Sequence, residues 1–368
     1  MGTDTRETRL GHRTAASDRT YATTAGPSTM SAGLGAHLAA VPSRRPVIHR
    51  SGFAALGLRP VDRRRRDVCV MTRDGVRLSV RDCGARHAER TVVFLHGLCL
   101  AGDTWTRQID YLLRRYGDRV RVISYDHRGH GRSGGAPMAT YRVEQLAADL
   151  ADVLVARDVG GPLTLVGHSM GGMTALAYLG RPAADRPVDP NALVLVATAA
   201  GRIAERGLGR LLATPGTAAL IRLINRAPDQ ALRMLARPVS ATVCRWHGCG
   251  RAQRATLTAI TAAALTTTPV STAVGYLPGL RSYDQYRTLG EIRAHTIVVS
   301  GGADVLTPPA HSRDLAAGIP DAVHVHVPGA GHMLPQQAPH VISESIRRAM
   351  FGVASQPGSV SERYLERA

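Results

Sequence analysis

The chain has 368 residues, 44% hydrophobic but only 4% aromatic, so it can hold one large α/β domain or two small ones with a core of Leu, Val, Ile and Ala. Its formal net charge of +18 comes from 46 basic residues, every one an arginine. These are scattered apart from Arg63-Arg64-Arg65-Arg66 and form no concentrated basic patch, which argues against a nucleic-acid partner and leaves an anionic membrane surface or an acidic substrate compatible with the charge.

Residues 1–66 are rich in Ala, Gly, Ser, Thr, Arg and Pro and read as a disordered basic tail, with a short helical turn at Ser51 to Leu58. Met30 is a second candidate start. The tail lacks the continuous apolar run of a secretory signal, and no segment reaches transmembrane length. Cys69, Cys83, Cys99, Cys244 and Cys249 are odd in number and widely spaced. They suggest reduced thiols in a cytoplasmic protein, with the basic tail available for membrane-surface contact. Cys244-x-x-His247-x-Cys249 lacks a fourth ligand at useful spacing, so no metal is expected there.

Folding is expected to start near Asp67. Val68 to Met71 and Val76 to Val80 alternate as strands around the turn Arg73-Asp74-Gly75. Thr91 to Leu95 is an apolar strand, followed by a helix from about Thr104 to Arg115 and a strand from Val120 to Tyr125. Tyr141 to Arg157 places Val143, Leu146, Ala147, Leu150, Val153 and Leu154 at helical spacing. Leu163 to Val166, Ala192 to Val196, Ile297 to Ser300 and Val323 to Val327 are further strands. Helices are expected from Met170 to about Leu179, Ala310 to Ala317 and His340 to Met350. Short, continuously apolar strands alternating with helices predict a mostly parallel sheet covered on both faces.

Between Thr198 and about Arg293 the alternation stops. Helical patches at Gly209 to Asn225, Gln230 to Ala236 and Gln253 to Leu265 replace it, over a stretch too long for a connection within a compact domain. Residues 198–293 are therefore expected to form a helical cap over the carboxyl ends of the strands. The resulting organisation is a tail (1–66), two core segments (67–197 and 294–352), the cap between them, and a C-terminal tail (353–368).

The chemistry centres on Gly167-His168-Ser169-Met170-Gly171, between an apolar strand and a helix. That sequence fits a nucleophile elbow with Ser169 at its tip. The glycines two residues either side remove side chains that the tight turn would force together. A serine hydroxyl needs a base, and His332, in Gly329-Ala-Gly-His332 after the last strand, is the best-placed of 15 histidines. Asp304, in Gly301-Gly-Ala-Asp304 after another strand, is the candidate carboxylate to orient it. Backbone N–H groups of Met170 and Leu98 are the candidate oxyanion donors. In Asp126-His-Arg-Gly-His-Gly-Arg-Ser133, Asp126 and Arg128 are expected to pair and brace the loop, with His127 and His130 structural rather than metal ligands. No phosphate loop or dinucleotide fingerprint is present, so no cofactor is expected.

His96-Gly97-Leu98, the loop 126–133, the Ser169 pentapeptide, Gly302-Ala-Asp304 and Gly331-His332 together resemble the α/β-hydrolase superfamily over residues 67–351. The resemblance implies an eight-stranded sheet with an antiparallel second strand, a lid after the sixth strand, and a catalytic triad of Ser169, Asp304 and His332. Within the superfamily the chain is similar to bacterial esterases, lipases and cofactor-free peroxidases. Serine rather than aspartate at the elbow argues against epoxide and haloalkane chemistry. The expected function is cleavage of a carboxylic ester of a small, hydrophobic substrate through an acyl-enzyme. Acyl transfer, perhydrolysis, carbon–carbon bond hydrolysis and non-catalytic ligand binding remain alternatives.

Overall fold

The computed structural model describes residues 65–207, 209–210 and 268–352. All of them belong to the unit Arg59–Ala368; a second unit, Met1–Leu58, lies outside the described residues. The expected tails apart from Arg65 and Arg66, the turn at Ser51 to Leu58 and the motif Cys244-x-x-His247-x-Cys249 also fall outside them, as do the cap patches beyond Arg210.

Eight strands form one sheet: β1 (Arg66–Met71), β2 (Arg77–Cys83), β3 (Arg90–Leu95), β4 (Val120–Tyr125), β5 (Leu163–His168), β6 (Ala192–Val196), β7 (His295–Gly301) and β8 (Val323–Val327). Their order is β1-β2-β4-β3-β5-β6-β7-β8. Strand β2 runs antiparallel to both β1 and β4, and every other pairing is parallel. Gly75, at φ 82°, closes the β1–β2 hairpin in the left-handed region that a β-carbon disfavours.

The two-residue period of the strands sorts their side chains into two apolar layers. Val93, Leu95, Ile123, Leu165, Leu195 and Val298 face one layer, which is covered by helices α2 (Val143–Ala156) and α3 (Met170–Leu179). Val92, Phe94, Val122, Val166, Val194 and Val299 face the other, covered by α1 (Thr106–Tyr116) and by the last helix (Pro339–Phe351). The apolar stripe of α2 expected from its spacing is fully inward, from Val143 through Leu154. Each such buried Leu or Val contributes about 1.5–3 kcal/mol of transfer free energy, and truncating Leu150 to Ala would cost about 2–5 kcal/mol.

Two local expectations change. Strand β1 begins at Arg66, so the last residue of the expected basic tail belongs to the sheet. Its guanidinium reaches the fully buried Asp82 at 3.1 Å, and Arg121 and Arg157 complete the neutralisation of that carboxylate at 2.8 and 2.7 Å. A helix not marked in the sequence, α4 (Val270–Ser282), stands within the expected cap segment. Tyr276 Oη donates to the Arg128 carbonyl (3.3 Å), and Thr272 Oγ1 to the Tyr141 hydroxyl (3.3 Å). The nearby Tyr283 Oη donates to the Met173 carbonyl (3.1 Å). These bonds tie the segment to the 126–133 loop and to α3. The isolated bridge Gly201↔Asp284 adds a further link. Helix α5 (Pro309–Gly318) follows β7, and α6 is Pro339–Phe351.

Candidate active site

Six loops leave the carboxyl ends of the parallel strands at one rim of the sheet, where ligands bind in open α/β folds. Three of them carry Ser169, Asp304 and His332.

Ser169 follows β5 directly and caps α3 with φ 53° and ψ −120°, a conformation disfavoured for any residue with a β-carbon. The surroundings over-determine it. Its amide donates to the Val196 carbonyl (2.9 Å), while its own carbonyl accepts from Thr198 Oγ1 (2.7 Å) and from the Gly172 amide (2.9 Å). The glycine requirement is steric: a β-carbon on Gly171 would collide with the Leu95 carbonyl, and one on Gly167 would lie 2.5 Å from the Gly172 nitrogen.

Asp304 and His332, separated by 28 residues, are joined by a hydrogen bond from Nδ1 to Oδ2 at 2.9 Å. Both side chains are buried. Oδ1 of Asp304 accepts the amides of Leu306 (2.9 Å) and Thr307 (3.0 Å), and Oδ2 accepts the Thr307 hydroxyl (2.8 Å). Burial pushes this carboxyl up, but the His332 imidazole and the Thr307 donors outweigh it and hold it below the ordinary aspartate value. An ionised Asp304 only accepts, so Nδ1 of His332 carries a proton, and in the neutral imidazole Nε2 is then the nitrogen with the lone pair. Thr307 was not singled out in the sequence. Its position three residues after an aspartate is the local signal for a side chain capping a turn.

The elbow and the His332 loop are linked through His168. Its Nε2 lies 2.8 Å from the His332 carbonyl, and the two rings are 4.9 Å apart. Ser169 Oγ makes no hydrogen bond to His332. Contacts between nucleophile and base are often long without substrate and tighten when it binds.

The Gly97 turn lies beside Ser169: a β-carbon on Gly97 would sit 3.2 Å from Ser169 Cβ and 3.0 Å from His168 Nδ1. The Leu100 amide closes this turn on the Gly97 carbonyl (3.2 Å), with Cys99 at φ 62°. Leu98 is in its middle and Met170 is the first residue of α3. Among the described residues, neither backbone N–H donates to a protein acceptor. At a helix start such an unmatched donor, aided by the helix dipole, favours an anion.

The 126–133 loop corrects one expectation. Asp126 does not pair with Arg128. Its two oxygens accept the amides of Gly102 and Arg132, both at 2.8 Å. The Arg128 guanidinium turns the other way, to buried Asp149 (2.7 Å) and to Asp74 (2.8 Å). Loop amides sit closer to the aspartate than any guanidinium, and Asp149 needs a cation in its apolar surroundings. The rings of His96, His127 and His130 are buried, and each makes a bond to backbone. The His127 amide donates to His96 Nε2 (2.9 Å) and the Cys99 amide to His130 Nε2 (3.2 Å). Burial lowers the pKa of His96 to about 4 and of His130 to about 3, so both are neutral. Among the described residues no group of three or more His, Cys, Asp or Glu is placed to hold a metal ion, and no helix is long and apolar enough to cross a membrane.

Comparison with known proteins places this geometry in a family. A family model described as "alpha/beta hydrolase fold" matches residues 90–339. The chain is 34% identical over 247 residues to the polyketide synthase ThaQ of Burkholderia thailandensis, covering 66% of this chain but only 11% of that protein. It is 30% identical over 246 residues to RutD of Klebsiella pneumoniae, provisionally named a carbamate hydrolase, covering 66% of this chain and 84% of RutD. A hydrolase from Pseudomonas aeruginosa PA01 superposes with a TM-score of 0.61 at 23% identity, over 78% of this chain and 98% of that one, a likeness of fold. The chain belongs to the α/β-hydrolase fold family.

Proposed function

We propose that the protein is a serine hydrolase that cleaves a carboxylic ester through an acyl-enzyme, with Ser169 as nucleophile, His332 as general base and acid, and Asp304 as the orienting carboxylate. The observation that carries this reading is the 2.9 Å bond from His332 Nδ1 to a buried, four-fold hydrogen-bonded Asp304, with the His332 carbonyl held by His168, the residue before Ser169. That bond leaves Nε2 as the only basic ring position.

In the proposed reaction Ser169 Oγ attacks the ester carbonyl carbon while its proton passes to His332 Nε2. The carbonyl π pair moves onto oxygen, where the Leu98 and Met170 amides receive it; such a donor is worth about a hundredfold or more in rate. Collapse breaks the bond to the leaving alkoxide, which takes the proton from Nε2. Water then repeats the sequence on the acyl-enzyme and releases the acid. A hydrophobic substrate agrees with the presence of Leu211, Leu212, Leu220, Ile221 and Leu235 in the sequence segment expected to form a cap; these residues lie outside the described ones.

Fluorophosphonate labelling tests the nucleophile. Wild-type protein is expected to label and Ser169→Ala not to; folded wild type that never labels overturns the reading. Turnover of p-nitrophenyl esters of increasing acyl length then sets the substrate class. Competing alcohol or peroxide reveals acyl transfer or perhydrolysis on the same residues.

A further inference from the structure

We propose that His168 is a positioning residue for His332: donation from its Nε2–H to the His332 carbonyl holds the loop of the base against the nucleophile elbow. The inference rests on the reading of Ser169 and His332 given above.

The 2.8 Å contact has a carbonyl at one end, which only accepts, so Nε2 of His168 must carry the proton. The donor is itself rigid. His168 is the last residue of β5, paired with Val196 of β6, and the next residue is the pinned Ser169. Its ring is packed against the edge of Trp105 (6.4 Å between centroids), against the His332 ring, and against Gly97, where even a β-carbon would approach Nδ1 to 3.0 Å. His332 is thereby gripped twice, at its carbonyl by His168 and at Nδ1 by Asp304, leaving Nε2 as the free end.

The other nitrogen supports the same conclusion. Nδ1 of His168 is buried with no hydrogen-bond partner. An apolar ring of similar size would avoid that desolvation cost, so what the imidazole supplies here is the Nε2 donor. Burial, with the nearby His332 and His96, lowers the His168 pKa to about 3 despite the bond to the His332 carbonyl and the nearby Asp304 carboxylate. A proton gained by His332 from Ser169 is therefore not passed on to its neighbour ring.

The test compares full-length wild type, His168→Phe and His168→Gln by fluorophosphonate labelling rate, p-nitrophenyl ester kinetics and amide hydrogen exchange over Gly331–Met333. Phe keeps the ring and removes the donor; Gln restores an N–H of similar reach. For Phe we expect labelling and kcat to fall about ten- to a hundredfold, as for a misplaced catalytic group. KM should stay within about threefold, so the loss is in the reacting geometry rather than in uniform binding, and exchange in the segment should accelerate. Gln should recover most of the loss. A folded Phe variant with wild-type labelling and exchange, or a folded Gln variant no better than Phe, overturns the proposal. If neither variant folds, the 15N shifts of wild-type His168 decide: a neutral Nε2–H tautomer at pH 5 supports it and an Nδ1–H tautomer overturns it. If wild type itself does not label, the hydrolase reading fails, while exchange and tautomer still judge the clamp.

Discussion

The amide of Ser169 donates to the carbonyl of Val196 across 2.9 Å while Ser169 holds φ at 53°. The neighbouring strand thus fixes from behind a residue that would relax if released. Strain of this kind costs about 1–3 kcal/mol. Ser169→Gly should therefore raise stability by about 1 kcal/mol over Ser169→Ala, because glycine tolerates the conformation, while both abolish fluorophosphonate labelling. Urea denaturation of the two variants measures the difference. Equal midpoints would mean that the turn stores no strain.

Asp304→Asn retains an oxygen for the Leu306 and Thr307 amides but presents an N–H or a weaker acceptor to His332 Nδ1. The imidazole then loses its anionic partner and its enforced tautomer. Ester turnover should drop by roughly 10³–10⁴-fold with the fold intact, the scale seen when an orienting carboxylate is neutralised. A loss under tenfold would remove Asp304 from the proposed machinery.

Acid should unfold the protein through its buried imidazoles. The folded values of His96 (about 4), His130 (about 3) and His168 (about 3) lie below the ordinary 6.5. The unfolded chain therefore binds more protons between those limits. Their contribution to stability is complete above pH 6.5 and is lost as pH falls toward 4, at up to about 1.4 kcal/mol per pH unit for each histidine. Asp74 and Asp82, held at about 2 against an ordinary 3.8, extend the loss below pH 3.8. The urea midpoint should be level from pH 8 to 7 and decline steadily below 6.5. A midpoint unchanged down to pH 4 would contradict neutral burial of these rings.

Arg128 and Asp149 form an ion pair with both side chains fully buried. Removing only the cation, as in Arg128→Met, leaves an unpaired carboxylate in an apolar setting and should cost about 3–5 kcal/mol. Replacing both, in Arg128→Met with Asp149→Leu, should recover much of that loss. Thermal or urea unfolding of the single and double variants checks the coupling; additive losses would show that the two charges do not depend on each other.

Most of the architecture was legible in the sequence because it is written in short periods. The continuous apolar run from Val92 to Leu95 marks a strand buried on both faces, the helical spacing from Val143 to Leu154 states which face of α2 is apolar, and the sheet and its covering helices follow. Helix α4 is not legible in the sequence because its buried residues, among them Thr272, Gly275 and Tyr276, make no simple apolar stripe and Pro278 interrupts it. Sequence proximity points Arg128 to Asp126, but the fold commits both oxygens of Asp126 to loop amides and brings Asp149 and Asp74 to the guanidinium instead.

The sequence by itself determined the elbow at Ser169, through glycines whose absence of a β-carbon is a local steric necessity, and the strand-end positions of Asp304 and His332. Only the tertiary structure decided that Asp304 and His332 meet at hydrogen-bond distance, that Thr307 shares that carboxylate, and that His168 reaches across 164 residues to the carbonyl of His332. Spacing along a chain encodes which side a residue faces, whereas the partner of a polar atom is chosen by which distant loops the assembled sheet brings to the same rim.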